Sequence, residues 1–414
     1  MILLRHIREL VTCAGPVPRR GGAQRDAGVI LDGALASDGD RILFAGPDPA
    51  LPERFSSVPA VDARDVSIVP GFVDPHTHAM FAGDRREELR RRLAGETYAA
   101  IAAAGGGIVS TVRDTRAASE DDLVIATAAR LGEMLACGTT TAEIKSGYGL
   151  DLDSELKMLR AIRRLGAMQP VDLTSTFLGA HEVPHEFRTD RGGYVRLVIE
   201  QMIPAVADGG LAEWCDVFCE GGVFTPDESR RILEAGAARG LKPRIHADEL
   251  GPSGGSHVAA AVGARSADHL IFVPDEGIRA LRDAGVTATL LPNAAFYLKL
   301  GRFAPARTLV DAGVPVALAS DVNPGGGFSP SMPFAMTLAC FGMQMTFEEA
   351  LTAATINAAW SIDRADRAGS LEAGKQMDAV VVRGDPINLI RIGAPAIAAV
   401  IKSGRVVVGD LAKL

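Results

Sequence analysis

The sequence predicts an α/β fold in which a TIM-like (β/α)8 barrel is joined to a small β-sandwich domain formed from both chain ends. A chain of 414 residues, 47% of them hydrophobic, can bury one large core and a smaller one. Strand-like and helical patterns alternate over roughly 250 residues, as they do in such barrels. The flanking segments instead contain short β-like pieces separated by turns. A doubly wound open sheet is the main competing fold.

Apolar, strand-like runs recur along the central part of the chain, and each ends in a polar or glycine-rich residue. The runs cover residues 68–78, 139–146, 173–181, 215–220, 243–248, 266–269, 288–293 and 315–321. Their spacing leaves room for one helix after each strand, which favours a barrel.

Helix signals separate these runs. Ser154 opens a stretch whose apolar residues recur at helical spacing, and Thr225 and Thr346 each precede a Glu by three residues, as in a capping box. Short β-like pieces at 29–45, 378–384 and 398–409 are expected to pair with one another. We therefore expect a small β domain from residues 1–65 and 370–414, and a barrel from residues 66–369.

Composition restricts the partners of the protein. A net charge of -8 and a pI near 5.6 argue against nucleic acid or an anionic membrane as a partner. The chain has no apolar run of about 18 residues, and five cysteines without a C-x2-C pair fit a reducing compartment. These features predict a cytoplasmic protein that acts on a small molecule. A homodimer is one oligomeric state that the sequence leaves open.

The densest basic segment, residues 85–92, has Glu87 and Arg91, and Glu88 and Arg92, at the i,i+4 spacing of helical ion pairs. This pattern is typical of a solvated helix face. Arg85, at the start of the segment, is the exception that is free to bind an anionic substrate.

Residues that bind metals stand at the ends of the predicted strands. His76 and His78 are two residues apart, so an extended chain presents both imidazoles on one side. His246 ends the fifth run and Asp321 ends the eighth. Three imidazoles and a carboxylate predict one divalent or trivalent metal ion, with zinc as the first expectation and iron as the alternative, and such an ion activates a water.

Two candidate proton carriers lie near these ligands. Glu249 follows His246 by three residues, and His269 ends the sixth run. Both would lie on the rim that carries the metal but outside the metal ligands. Lys145 is expected either to form a buried ion pair or to lie on the substrate side of the site. The segment 181–185 spells H-E-x-x-H. That motif requires a helix, which Pro184 disfavours.

The chain resembles the imidazolonepropionases, a family of the metal-dependent amidohydrolase superfamily, along almost its whole length. The segments that carry the resemblance are 74–78 followed by Arg85, 103–108, 143–150, 177–181, 246–249, 267–269 and 320–325.

The resemblance implies hydrolysis of 4-imidazolone-5-propanoate to N-formimidoyl-L-glutamate in L-histidine degradation, by a water that the metal activates. It implies catalytic roles for Glu249, His269 and Asp321. It also implies substrate contacts, which are Arg85, Tyr148, His181, Glu249, Asn323 and Gly325.

The loop 323–330 departs from the family pattern, in which a shorter loop with Thr or Ser soon after the first Gly is usual, and Asn293 stands where Gly is common. The alternative function is that of a related amidohydrolase, which acts on another cyclic amide or deaminates a heterocycle. A zinc peptidase or a metal-binding protein without activity is a third interpretation.

Overall fold

The computed structural model describes residues 1–96 and 105–413. Residues 103 and 104, which belong to one of the family-like segments, lie outside the described residues. The described strands, in chain order, are β1 (Ile2–Val11), β2 (Val29–Asp38), β3 (Arg41–Pro47), β4 (Val61–Asp62), β5 (Val66–Pro70), β6 (Phe72–Asp74), β7 (Thr139–Lys145), β8 (Asp172–Ala180), β9 (Trp214–Cys219), β10 (Lys242–Ala247), β11 (Ser266–His269), β12 (Thr287–Leu290), β13 (Val316–Leu318), β14 (Ala379–Arg383), β15 (Ile397–Lys402) and β16 (Arg405–Gly409).

Strands β6 to β13 form a parallel sheet in which each strand pairs with its neighbours in chain order. A helical segment follows each of these strands, and the buried strand residues share one continuous core with the helices. The predicted (β/α)8 barrel is confirmed.

Backbone hydrogen bonds beyond the strand ends bring the first and last barrel strands together. The N–H of Asp321 donates to the carbonyl of His76 at 3.2 Å, and the N–H of His78 donates to the carbonyl of Val322 at 3.0 Å. A hydrogen bond from backbone to side chain adds to the contact between these two strands, because the backbone N–H of Ser320 donates to Asp74 Oδ1 at 3.0 Å. The barrel therefore closes at the same level as the predicted metal ligands.

The prediction of one strand over residues 68–78 is wrong. The run divides into β5, which pairs with β1 and β14 outside the barrel, and β6, which pairs with β7 inside it. Gly71 lies at the division, and its N–H donates to the carbonyl of Asp378 at 2.9 Å. A Cβ at Gly71 would collide with the side chain of Thr140, so only glycine lets the chain pass this point.

The helices follow the predicted alternation. They are α1 (Arg86–Leu93), α2 (Ile108–Ala117), α3 (Glu120–Ala136), α4 (Leu152–Gly166), α5 (Arg191–Leu197), α6 (Ile203–Asp208), α7 (Pro226–Ala238), α8 (Gly255–Ala261), α9 (Asp275–Ala284), α10 (Pro292–Tyr297), α11 (Ala306–Asp311), α12 (Met332–Met343), α13 (Phe347–Ala353), α14 (Ile356–Ser361) and α15 (Asn388–Arg391).

Both predicted capping boxes form, at Thr225 with Glu228 and at Thr346 with Glu349. The predicted start of α4 is wrong. Asp151, not Ser154, is the N-cap, because its Oδ1 accepts a hydrogen bond from the N–H of Ser154 at 2.8 Å.

Strands from both chain ends form one mixed sheet of eight strands, in the order β16-β15-β14-β5-β1-β2-β3 with β4 beside β1. This sheet buries a second, smaller hydrophobic core, which includes Leu4, Ile68 and Val381. Both chain ends contribute to one sheet, as predicted. The expected direct pairing of the 29–45 strands with those after residue 378 is wrong, because β5 and β14 make the junction between the two ends. All five cysteines are free thiols. None of the helices in the described part of the chain is long and apolar enough to cross a membrane.

Candidate active site

Three histidines and one aspartate meet at the carboxyl end of the barrel. His76 and His78 follow β6, His246 lies in β10, and Asp321 follows β13. Nε2 of His78 lies 3.3 Å from Nε2 of His76 and 3.2 Å from Nε2 of His246. Asp321 Oδ1 lies 3.7 Å from Nε2 of His76 and 3.6 Å from Nε2 of His78. The fold thus brings together the four residues proposed from the sequence as metal ligands.

Hydrogen bonds on the far side of two rings determine which nitrogens face the cluster. His76 Nδ1 lies 2.6 Å from Asp268 Oδ2, and His246 Nδ1 lies 3.1 Å from Asp216 Oδ1. An ionised carboxylate only accepts, so each Nδ1 donates and each Nε2 keeps its lone pair. Asp321 Oδ1 has no hydrogen-bond partner within the described part of the chain. Lone pairs so close together repel one another, and a cation among them removes the repulsion, so the residues fit a metal ion.

Burial reinforces this electrostatic pattern. His76, His78 and Asp321 are at most 4% exposed. Burial lowers the pKa of His76 and of His78 well below the ordinary value, and nearby positive groups lower it further. Burial also raises the pKa of Asp321 to about 8. Neutral imidazoles are the form that binds metals, and a cation in the cluster would favour the ionised carboxylate.

The two proposed proton carriers lie beside the cluster. His269 ends β11, and its ligand atom lies within 4.8 Å of those of His76 and His246. Its Nδ1 lies 3.5 Å from Glu249 Oε1. The sequence places His269 outside the metal ligands, whereas this geometry also permits it to contact the cation.

Two of these residues have an uncommon backbone conformation. His269 has φ +75° and Asp321 has φ +53°, both in the left-handed region that residues other than glycine rarely adopt. Such strained positions concentrate at active sites, where the surrounding structure holds them. Here each one occurs where a barrel strand ends.

The backbone of Glu249 is held by a neighbouring carboxylate. Glu220 Oε2 accepts hydrogen bonds from the N–H of Glu249 at 3.0 Å and from the N–H of Leu250 at 2.9 Å. Burial raises the pKa of Glu249 well above its ordinary value, and the charges of Asp321 and Glu220 raise it further. Sequence reasoning missed Glu220, because a Glu after a strand carries no signal of the loop that it contacts.

The cluster opens into a cavity of about 510 Å³. Every site residue proposed from the sequence lines this cavity except His76, which is fully buried. A larger cavity of about 690 Å³ adjoins it at Ile108 and Glu182, and none of the proposed site residues lines that one. The chemistry therefore belongs to the smaller cavity.

Arg85 lies on the cavity wall and is only 10% exposed. Its Nε and Nη2 atoms lie 2.8 Å and 2.7 Å from Glu88 Oε2. Glu88 Oε1 accepts from the N–H of Gly107 at 3.0 Å, so the ion pair is tied to the start of α2. A Cβ at Gly325 would collide with Arg85 Nη1, which means that this glycine leaves the space that the guanidinium occupies.

The i,i+4 ion pairs predicted for the basic helix α1 do not form. Glu87 pairs with Arg90 and Glu88 pairs with Arg85, both at i,i+3 spacing. The expected pairing fails because the buried guanidinium of Arg85 takes the Glu88 carboxylate.

Arg92, predicted to be a solvated charge, contributes to the cavity instead. Its Nη2 donates to the carbonyl of Gly325 at 2.9 Å, and its guanidinium lies 5.5 Å from the ring centre of Phe328. Arg92 is separated from Arg85 by about two helical turns, which places both on the same face of α1. The seven-residue spacing was a signal that could have identified it.

Two aromatic side chains, those of His181 and Tyr148, line the cavity beside His78. The ring of His181 stacks on that of His78, with 4.9 Å between centroids and 19° between planes. Its Nδ1 lies 2.9 Å from the carbonyl of Gly147, and burial lowers the pKa of His181 to about 4. The ring of Tyr148 lies 5.3 Å from that of His181. Because Nδ1 donates to a carbonyl, the Nε2 atom of His181 is left for a ligand.

Most of the hydrogen bonds that Asn323 can form are made to residues of its own loop. Its Oδ1 accepts from the N–H of Gly325 at 2.8 Å and of Gly326 at 2.6 Å, and its Nδ2 donates to the carbonyl of Asp321 at 2.8 Å. Its backbone N–H donates to the carbonyl of Gly327 at 2.8 Å. In this conformation Asn323 shapes the loop, and one amide hydrogen is left for substrate.

Two sequence-based interpretations concern residues near the site. His181 and His185 do not share a helix, since Val183 and Pro184 precede a single 3-10 turn over His185–Phe187. The zinc-protease interpretation of H-E-x-x-H is thus excluded by the fold. Lys145 forms the buried ion pair that was predicted, with Glu143.

Comparison with known proteins agrees with this geometry. Residues 67–408 match the model of the amidohydrolase family. Solved structures with the same fold include a triazine hydrolase variant (20% identity, TM-score 0.75, 99% of this chain and 95% of that chain). They also include A. niger ochratoxinase (18% identity, TM-score 0.69, 99% and 96%). These likenesses concern the fold alone. Because the family model covers most of the chain, the chain belongs to the amidohydrolase family.

Curated relatives narrow the assignment. An imidazolonepropionase of Geobacillus kaustophilus (strain HTA426) is 49% identical in an alignment of 419 residues, gaps included. The alignment covers 99% of this chain and 98% of the relative. An imidazolonepropionase of Symbiobacterium thermophilum is 49% identical over 409 residues, which cover 97% and 96%. Within the amidohydrolases, the chain belongs to the imidazolonepropionase family.

Proposed function

We propose that this protein hydrolyses 4-imidazolone-5-propanoate to N-formimidoyl-L-glutamate, a step of L-histidine degradation. The observation that carries the proposal is a single cavity with a metal-type cluster at its base and the buried guanidinium of Arg85 on its wall. The first feature suits hydrolysis of a cyclic amide, and the second suits an anionic substituent on the ring.

We assign His76, His78, His246 and Asp321 as the residues that would hold one metal ion. A bound divalent cation would supply Lewis-acid chemistry, since it polarises a carbonyl and lowers the pKa of a water. Zinc is the first choice and iron the alternative, because both accept imidazole and carboxylate ligands.

The chain's own residues perform the other steps. Water adds to the ring carbonyl carbon, and the carbon–nitrogen bond of the ring then breaks as a proton reaches the leaving nitrogen. Glu249 and His269 are within 3.5 Å of each other on the cavity wall, so either can carry that proton. Asp321, which lines the same cavity, would accept a proton as the water loses one. Burial of these groups excludes bulk water and strengthens each interaction.

The substrate's polar arm fits the other side of the cavity. Arg85 would hold the propanoate carboxylate, with Tyr148 and His181 against the ring and its substituent. Asn323 and Gly325 would contact the opened chain, Asn323 through its remaining amide hydrogen and Gly325 by close backbone approach.

The test is a spectrophotometric assay with the purified holoenzyme. Loss of the ultraviolet absorbance of 4-imidazolone-5-propanoate, with N-formimidoyl-L-glutamate as the product in mass spectrometry, is the expected result. The His246→Ala variant serves as the control and should lack both the metal and the activity. Holoenzyme that contains about one metal per chain yet leaves the substrate intact would refute this substrate, and the related amidohydrolase function would then be tested with other cyclic amides.

A further inference from the structure

We propose that Asp216 and Asp268 are positioning residues for the metal site, and that each fixes one ligand histidine through its Nδ1 hydrogen. The inference rests on the proposed assignment of His76 and His246 as metal ligands. It adds to that assignment the buried groups that orient the rings.

Asp268 orients His76 from the interior of the barrel. Its Oδ2 lies 2.6 Å from His76 Nδ1 and 3.2 Å from Arg244 Nη2. Arg244 also donates to the carbonyls of Pro75 at 2.8 Å and Ser361 at 2.9 Å, so its position is fixed independently. We call this chain of contacts, from His76 through Asp268 to Arg244, a relay of hydrogen bonds, and all three of its side chains are fully buried. Oδ2 of Asp268 therefore lies between the guanidinium of Arg244, which can only donate, and the ring of His76, whose Nδ1 hydrogen completes the contact.

Asp216 orients His246 in the same way but through a lysine. Its Oδ1 lies 3.1 Å from His246 Nδ1, and its Oδ2 lies 2.8 Å from Lys145 Nζ. The same ammonium lies 2.8 Å from Glu143 Oε1, while Glu143 Oε2 accepts from the N–H of Thr77 at 3.1 Å. Thr77 stands between His76 and His78 in the segment that follows β6. The relay thus connects the ligand on β10 to the backbone that carries the other two.

The third histidine lacks such a partner. His78 Nδ1 has no hydrogen-bond partner among the residues that the structure describes, and its ring is instead held by stacking on His181. A carboxylate at Nδ1 is therefore found at two of these three histidine rings and does not accompany every buried histidine of the site. Partners of this kind typically change metal affinity by about 10- to 100-fold when they are removed.

The competing interpretation is that the aspartates only balance buried positive charge. Asp378 provides a matched control, since it is 3% exposed and pairs with the buried Lys402 at 2.7 Å in the mixed sheet. Its loss should lower thermal stability as the loss of either relay aspartate does. It should leave the metal site intact.

The experiment measures zinc affinity by competition with a chromophoric chelator, together with Tm, for three variants. Asp216→Asn and Asp268→Asn should each bind zinc about 10- to 100-fold more weakly than the parent protein. Asp378→Asn should lose stability and keep the parental affinity. Parental zinc affinity in folded Asp216→Asn and Asp268→Asn would overturn the inference. Failure of the parent protein to bind zinc would instead overturn the metal assignment in the proposed function.

A second measurement does not depend on whether the variants fold. Nitrogen-15 labelling of the histidines in the unsubstituted, metal-free protein reports which ring nitrogen carries hydrogen. His76 and His246 should both show the Nδ1–H tautomer. The Nε2–H tautomer at either residue would overturn its relay.

Discussion

Removal of the Arg85 guanidinium tests how the protein selects its substrate. Glu88 already engages Nε and Nη2, so mainly Nη1 remains for a substrate carboxylate. A charge-assisted hydrogen bond contributes about 1.5 to 3 kcal/mol, so we expect Arg85→Ala to lower kcat/KM by roughly 10- to 150-fold. Arg85→Lys should recover only part of the loss, since an ammonium cannot reproduce the planar donor geometry.

The assay is steady-state kinetics on 4-imidazolone-5-propanoate, with Arg90→Ala as the matched control. Arg90 lies on the same helix but is 77% exposed and pairs with the exposed Glu87, so its removal should change kcat/KM by less than about twofold. An analogue with an amide in place of the carboxylate should show little difference between Arg85→Ala and the parent enzyme. Equal, small effects at Arg85 and Arg90 would refute the role of Arg85.

Three further predictions follow from the site and its surroundings. Glu249→Gln and His269→Asn should retain the metal and lose on the order of a hundredfold or more in kcat, measured by metal analysis and kinetics. Gly325→Ala should raise KM as loss of the Arg85 contact does, because a methyl group there collides with the guanidinium. Glu349→Gln should lower the free energy of unfolding at pH 7 by about 1 to 3 kcal/mol, because the buried carboxylate accepts hydrogen bonds from two arginines.

The last of these predictions has a definite pH dependence. Burial alone would raise the pKa of Glu349, but the hydrogen bonds from Arg307, from the N–H of Thr346 and from Arg25 together outweigh burial and lower that pKa below its ordinary value. The carboxylate therefore stabilises the fold above its unfolded pKa of about 4.3, and this contribution is lost as the pH falls through the folded pKa. Denaturation of the parent and Glu349→Gln proteins should converge in acid, and a gap that widens there would contradict the assignment.

The variants at Glu249 and His269 also decide whether His269 is a metal ligand or a proton carrier outside the ligands. If His269→Asn loses the metal together with its activity, His269 is a ligand, as its distance of at most 4.8 Å from the ligand atoms of His76 and His246 permits. Unchanged turnover in Glu249→Gln would exclude this residue as a proton carrier. Parental KM in Gly325→Ala would show that Arg85 can move aside without cost.

The sequence predicted the parts of the site that local geometry determines. Alternation along an extended chain predicts His76 and His78 on one side, and their Nε2 atoms do meet, although both residues lie beyond the end of β6. His246 is identifiable because an apolar run ends near it. The barrel could be predicted because strand and helix patterns alternate strictly. The division at Gly71 could not, because it depends on contact with Thr140 on a neighbouring strand.

Long-range contacts account for the remaining differences. Arg92 was taken for a solvated charge because its carbonyl partner, Gly325, lies 233 residues away. Glu220 was overlooked because its role depends on the conformation of the loop that carries Glu249. Periodicity describes which face of an element a residue occupies, but it carries no information about a partner on a distant loop.

The hydrogen bonds that close the barrel also determine what the metal site is attached to. The backbone N–H of Asp321 donates to the carbonyl of His76 at the junction of the first and last barrel strands. A cation held by their side chains would link the segments that follow the first and last barrel strands, and so would join the beginning of the barrel to its end. If the proposed metal site is correct, catalysis and the closure of the barrel would then depend on the same two residues.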